Sequence, residues 1–551
     1  MIEQLKSAGD QLRTALDNYC RVYSSIQHHP TLGTLPYAPK FPPELTHQLD
    51  IELAFISRYK AKIRKIKATI SRARNYCSGV APINFLPPEI LARIFHFLRP
   101  QACDQVYPNF GLFGQCGHRY PDYLTQVCTL WRKVAISTRA LWSHIDLCPY
   151  EPNHDALTTR AEEYVTRAGH LPLELHISLS LGSARESEIE NRDYNDLYEL
   201  ISRMVNRVES LELVASDHFR DLHRSVLSQL LFSHPSKLTK FMICSETGHH
   251  DPFVYARDTD PDDSDEEFED FRLDLTEDQI ESGFAPLTVL HLEGIFPIWS
   301  SVAYHGLTDL RLSSSDSLPR IGEEEFATIL SSSPGLQILH FGLELDGLTT
   351  GSEEISRVYL QDLQVVKIFP VKSGTSPRGL CPSWVLRLLA PGVKPLRLYF
   401  GNRYEPAKAF DTEFESFFAR SRVARFYTHD TFLPMSILLR HAVHLEQVIL
   451  EYFEHSMFTP SIPRTWLQVD ELDSLPRLKS FYAIKSNFSE NELHWLVNCC
   501  PVGVVLDSCN VKLDDSEEST YEEFAYIFPT VRIADTPPYL SDFRYGRDIL
   551  D

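Results

Sequence analysis

Apolar residues in this 551-residue chain follow two periods, and the change from one to the other divides it. Near the N-terminus, Leu5, Leu12, Leu16 and Tyr19 recur at helical spacing. A proline-rich connection follows (Pro30, Pro36, Pro39, Pro42 and Pro43). Leu49, Leu53, Ile56, Tyr59, Ile63, Ile66 and Ile70 then recur at steps of three and four. That stripe predicts a helix of about thirty residues with one apolar side. Its polar face is basic: Arg58, Lys60, Lys62, Arg64, Lys65, Lys67, Arg72 and Arg74, with no acid among them. A helix packed on its neighbour with a solvated basic face fits this pattern. A nuclear-import signal, an anionic-surface contact and a self-associating coiled coil stay open.

The next apolar stretch is denser. In Ile83–Leu98, Pro87 and Pro88 lack N–H donors and have fixed φ, so they suit a helix entry. Glu89 puts a carboxylate where the helix dipole favours one. After the prolines, Ile90, Leu91, Ile94, Phe95, Phe97 and Leu98 cover most of the helix circumference, more than one amphipathic stripe needs. The expectation is a helix buried on two sides, one against its own domain and one against a partner. From Tyr123 to Ala135, apolar residues at Leu124, Val127, Leu130, Trp131 and Val134 predict a second helix. Leu141–Leu147 reads as a short apolar closing segment.

Beyond about residue 170 the period shortens. Strand-like segments recur at Ser210–Val214, Leu238–Ile243, Leu287–Leu292, Leu307–Leu312, Leu336–Phe341, Leu363–Ile368, Pro395–Phe400, Leu445–Leu450 and Leu478–Ala483. They share the form L-x-x-L-x-L with substitutions, and Pro172–Leu179 reads as the first strand of the series. Several follow a helical stretch and a small-residue or proline turn, as in VLSQLLFSHPSKL and FATILSSSPGLQIL.

The first pattern, LPPEILARIFHFL with VCTLWRKVA and LWSHIDL, resembles the F-box domain, particularly the F-box-like proteins of fungi. The resemblance covers about Pro82 to Leu147. It implies a compact trihelical module that docks on the Skp-type adaptor of a cullin–RING ubiquitin ligase. Leu86, Pro87, Pro88, Ile90, Leu91, Ile94, Phe95 and Leu98, with Val127, Cys128 and Trp131, would supply the adaptor-facing and core surfaces. The chain departs from a minimal F-box by an insertion at 100–121, with three prolines, three glycines and no steady period, which reads as a loop. The second pattern resembles a degenerate leucine-rich-repeat solenoid, one strand and one helix per unit. No unit can bury its apolar face alone, so neighbours must stack, and the strand face then offers a long binding surface. A single non-repetitive α/β domain is the competing reading of the irregular spacing.

The expected architecture is therefore α/β: an N-terminal helical region (1–80), a trihelical F-box-like domain (81–148), a leucine-rich-repeat-like domain (170–535) and a C-terminal tail (536–551). Net charge is −22. Residues 1–80 hold twelve Lys/Arg and six Asp/Glu, a balance of +6, which leaves −28 for the rest. Nucleic acid is a poor partner for such a chain. The eleven cysteines are scattered, without Cys-x-x-Cys, and read as reduced intracellular thiols. No secretory signal and no membrane span are expected, which places the chain in the cytoplasm or nucleus.

Candidate chemistry is sparse. Asp258–Asp270 holds nine acids in thirteen residues and reads as a disordered loop. Its acids fall at calcium-loop offsets, but Asp263 stands where that loop needs glycine, and no helix pair flanks it. Ser264, set among acids, is a candidate phosphorylation site. His96, Cys103, Cys116 and His118 are potential zinc ligands at a spacing that matches no standard pattern. No phosphate-binding glycine loop, zinc-protease motif or nucleophile elbow occurs. No cofactor, metal or catalytic residue is expected. The functional expectation is a substrate-recognition subunit of an SCF-type ligase that binds the adaptor and a protein target. A non-ligase F-box scaffold and a hydrolase hidden in a C-terminal α/β domain are the rivals.

Overall fold

A computed structural model describes residues 2–27, 43–75, 82–98, 120–149, 154–179, 194–215, 221–232, 237–245, 252–259, 271–314, 319–347, 356–369, 382–401, 412–429, 441–452, 478–500, 503–512 and 527–533. Most of the insertion at 100–121, most of the acidic loop at 258–270 and all of the tail at 536–551 lie outside them. So do Ser264, Cys103, Cys116 and His118. The chain forms two compact units. One is Met1–Leu91 with Cys128–Leu130, and the other is Ala92–Val127 with Trp131–Asp551.

The first unit is built on two long helices, α1 (Ile2–Gln27) and α2 (Pro43–Asn75). The stripe that predicted about thirty residues spans 33, and α1 runs further than its short pattern suggested. A 3-10 turn, Pro82–Phe85, precedes α3 (Pro88–Phe97). Pro88 is its first residue, and the Leu91 N–H donates to Pro87 O at 3.0 Å, so the two prolines open the helix as expected.

The second predicted helix is broken. A single turn, Leu124–Val127, ends at Cys128, and α4 resumes at Thr129–Ser137. The Arg132 Nε–H spans the break to Thr125 O at 2.7 Å. The buried Trp142 ring donates through Nε1 to Ala135 O at 2.7 Å. Leu141–Leu147 is more than a closing segment, because His144–Leu147 is the first strand of the sheet. Cys148, just after it, is disulfide-bonded, which corrects the expectation of reduced thiols there.

The second unit is organised by one 14-stranded sheet whose strands follow chain order, each parallel to the next. They are β1 (His144–Leu147), β2 (Leu173–Leu179), β3 (Val208–Ala215), β4 (Lys240–Ser245), β5 (Val289–Glu293), β6 (Asp309–Ser313) and β7 (Ile338–Gly342). There follow β8 (Val365–Ile368), β9 (Leu396–Phe400), β10 (Val423–His429), β11 (Gln447–Glu451), β12 (Ser480–Ile484), β13 (Val504–Asp507) and β14 (Arg532–Ile533). Every predicted L-x-x-L-x-L segment holds a strand. The helices between strands include α5 (His154–Ala168), α6 (Asn195–Met204), α7 (Asp221–Phe232), α8 (Glu277–Phe284), α9 (Glu323–Ser331), α10 (Pro382–Leu386), α11 (Thr412–Arg420) and α12 (Glu490–Cys499). This long parallel sheet with alternating helices is consistent with a leucine-rich-repeat-like α/β solenoid.

The repeat works because its three apolar positions stack from strand to strand. Leu290 pairs with Leu310 and Leu310 with Leu339, while Leu292, Leu312 and Phe341 form the next row. All five leucines are at most 2% exposed, and the Phe341 ring lies 4.4 Å from that of Phe326 on α9. Phe241 with Phe284 of α8 and Phe400 with Phe414 of α11 repeat the contact, so the helices cover this side of the sheet. Helix starts are encoded locally. Thr276 with Gln279 and Ser489 with Glu492 form reciprocal capping boxes on α8 and α12. Gly283 of α8 sits where a Cβ would lie 2.8 Å from Leu231 O, so only glycine lets α8 approach α7 this closely. Short parallel pairs form a second tier beside the sheet, such as Arg320–Gly322 with Glu344–Asp346. Sequence periodicity did not announce them.

Candidate functional site

Side chains alternate across a strand, so the residue between the last two apolar positions of each repeat points away from the helices. The register aligns these residues into one row. From β1 to β12 it runs Asp146, His176, Glu212, Met242, His291, Arg311, His340, Lys367, Tyr399, Tyr427, Ile449 and Tyr482. The row begins in acids and imidazoles and ends in aromatic and aliphatic residues.

At the polar end, Asp146 Oδ1 lies 3.0 Å from His144 Nε2 and 3.1 Å from His176 Nδ1. His144 Nδ1 is 3.3 Å from Glu174 Oε2, and His176 Nε2 is 4.0 Å from Glu212 Oε1. Burial pushes the Asp146 carboxyl up, but hydrogen bonds and charge from His144 and His176 outweigh it, leaving the group below the usual carboxylate range. Three strands on, the Arg311 guanidinium grips Asp309 with two bonds, Nε to Oδ1 at 2.9 Å and Nη2 to Oδ2 at 2.8 Å. His291 Nε2 sits 3.0 Å from the same Oδ2. Burial acts first on both groups. It raises Asp309, where His291 and Arg311 reverse the shift and hold the carboxyl low, and it depresses His291 despite the Asp309 charge. These are ionised acids clamped by donors.

At the apolar end, Tyr399 and Tyr427 stack with ring centres 4.4 Å apart and planes 12° from parallel. Phe369 leans on Tyr399 at 5.5 Å, and Lys367 Nζ lies 5.8 Å from the same ring centre. The Tyr427 hydroxyl donates to the Glu451 carboxylate. Tyr427, Ile449 and Ile484 form a buried cluster on this face, with Tyr399 and Tyr482 packed against it. Lys367, Tyr427 and Glu451 are each 3% exposed, so this end of the row is largely packed inside the protein, and Tyr399 and Tyr482 are its half-buried members. Among the described residues, no group of three or more His, Cys, Asp or Glu is arranged to hold a metal ion. None of their helices is long and apolar enough to cross a membrane.

The residues singled out from the sequence for adaptor docking divide by exposure. In the first unit, Leu91 is fully buried, Leu86 and Cys128 are half-buried, and Pro87, Pro88 and Ile90 are exposed, Ile90 at 45%. In the second, Phe95 is fully buried, Ile94 and Trp131 are half-buried, and Leu98 and Val127 are exposed. The structure brings Phe95 and Trp131 together, their ring centres 4.9 Å apart, and the Tyr120 hydroxyl donates to Phe95 O at 2.6 Å. Phe97, on α3 but outside that set, is 77% exposed. Leu91 and Phe95 thus serve packing, whereas Ile90, Phe97 and Leu98 are exposed. Of the potential zinc ligands only His96 is described, and it is exposed. Asp258, the first position of the calcium-like spacing, accepts from the Glu277 N–H at 3.1 Å at the start of α8.

The row on the sheet was missed from the sequence, although its signal is present. It is the x before the final leucine of each L-x-x-L-x-L, read down the repeats rather than along them. No family model matches this chain, and no curated protein matches it.

Proposed function

We propose that the chain is the substrate-recognition subunit of an SCF-type cullin–RING ubiquitin ligase. In this reading the Leu86–Leu98 segment docks a Skp-type adaptor, and the leucine-rich-repeat-like face receives a protein target in the cytoplasm or nucleus. The observation that carries the proposal is α3 itself. It opens on Pro87-Pro88-Glu89, buries Leu91 and Phe95 fully, and still leaves Ile90 and Phe97, with Leu98 just beyond it, 45%, 77% and 45% exposed. Large apolar side chains held open on a helix that already has a core are what a protein interface requires. In this reading the target docks on the face of the sheet that carries the graded row, through its half-buried members Asp146, Glu212, His291, Arg311, Tyr399 and Tyr482. The chain then performs no chemistry of its own. Holding the target beside the ubiquitin-loaded subunits raises the effective concentration for transfer.

Co-expression of the full chain with a Skp-type adaptor tests this reading. The expected result is a stoichiometric complex that is lost when Ile90 and Leu98 are both changed to Asp, and weakened when Leu86 and Pro87 are changed to Ala. A folded wild-type chain that captures no adaptor would overturn it. Adaptor capture without cullin recruitment would favour the non-ligase scaffold instead. Deleting 82–147 is a poor control, because it removes β1 from the sheet.

A further inference from the structure

Among the described residues, the apolar stripe of α2 is left exposed. From Ile56 onward it follows a strict 3–4 alternation through Ile56, Tyr59, Ile63, Ile66 and Ile70, which are 44%, 56%, 49%, 52% and 53% exposed. The Tyr19 hydroxyl of α1 donates to Glu52, one turn before this seam, and leaves it open. In heptad terms Ile56, Ile63 and Ile70 occupy a, while Tyr59 and Ile66 occupy d. The flanking e positions are Lys60, Lys67 and Arg74, and Lys62 lies at g.

From this charge pattern we infer that the α2 seam binds an amphipathic helix of another protein, one with apolar a and d positions and Glu or Asp at e and g. A second copy of α2 is a poor occupant. In a parallel pair Lys62 would face Lys67 of the copy, and in an antiparallel pair the basic e positions would face each other. A lipid surface fits less well too, because a seam confined to a and d is narrower than the broad apolar face of an interfacial helix. Acidic flanks would pair with Lys60, Lys62, Lys67 and Arg74 while the seam buries its isoleucines. The inference does not depend on adaptor docking, which uses α3.

The test uses the full chain and labelled peptides of about four heptads, with Ile and Leu at a and d. One peptide has Glu at every e and g, the other Lys, and binding is read by fluorescence anisotropy at low and high salt. The expected result is saturable binding of the Glu peptide, at least about tenfold tighter than the Lys peptide and weakened by salt. The pair Ile63→Asp, Ile66→Asp should abolish it. The triple change Lys60→Glu, Lys62→Glu, Lys67→Glu should move the preference to the Lys peptide, a reversal that loss of folding cannot mimic. Equal affinity for both peptides, or none for the Glu peptide, would overturn the inference. So would self-association of the chain that disappears in the Ile63→Asp, Ile66→Asp variant, which would make a second copy the occupant. Binding to phosphatidylserine vesicles but not to the Glu peptide would overturn it in favour of a membrane.

Discussion

Two regions of this protein carry equally regular apolar patterns and meet opposite fates. In the array, Leu290, Leu310 and Leu339 are fully buried, each stacked on its counterpart in the next strand. On α2, Ile56, Ile63 and Ile70 repeat just as faithfully and stay 44–53% exposed. The difference lies in where the partner comes from. A repeat brings its own neighbour in the same chain, so periodicity translates directly into a core. A single heptad stripe has no such repeat beside it, and our inference is that a helix of another protein covers it. Periodicity alone shows that a surface is meant to be covered, and charge on its flanks indicates by what.

Cavity formation should separate the two regions most sharply. Leu310→Ala removes a fully buried side chain between two leucines and should cost about 2–5 kcal/mol, read as a lower urea midpoint for the array. Ile63→Ala on α2 should change stability by less than about 0.5 kcal/mol and leave that midpoint nearly unmoved, since the side chain is half exposed. Equal losses would mean that α2 is as well packed as the array.

Acid should act on the array more gently and in one direction. His291 is held below its ordinary value near 6.5, so the unfolded chain binds more protons and stability falls once pH drops below about 6.5. Asp146 and Asp309 are also depressed. Their contribution is complete above about pH 4 and is lost as pH falls further. Thermal melts should therefore decline in two stages on acidification, and His291→Gln should blunt the first. A melting temperature that rises between pH 6.5 and 5 would contradict the burial of His291.

How much of this was legible depended on whether a signal was local. Strands written as L-x-x-L-x-L were found because three leucines at fixed offsets fill the same stacked sites. The β10 strand escaped because Val423, Phe426 and Thr428 occupy those sites, and a buried threonine stands where leucine was sought. The β1 strand escaped because it is four residues long, with Ile145 and Leu147 as its inward pair, and continued an apparently helical module. The break at Cys128 lay hidden in a pattern whose apolar spacing is unaffected by it. The row from Asp146 to Tyr482 needed the register, which brings side chains together across connections of about 20 to 50 residues. The exposed set Ile90, Phe97 and Leu98 could not be divided from Leu91 and Phe95, because a helix that is apolar nearly all round does not say which side faces its own domain.

Hydrogen–deuterium exchange on the full chain, alone and with the Skp-type adaptor, tests the central claim of a division between docking segment and recognition face. The account predicts that the adaptor slows exchange across residues 86–98 and leaves the strands at 289–313 and 396–429 unchanged. Protection confined to the sheet strands, or none anywhere despite complex formation by mass, would contradict it.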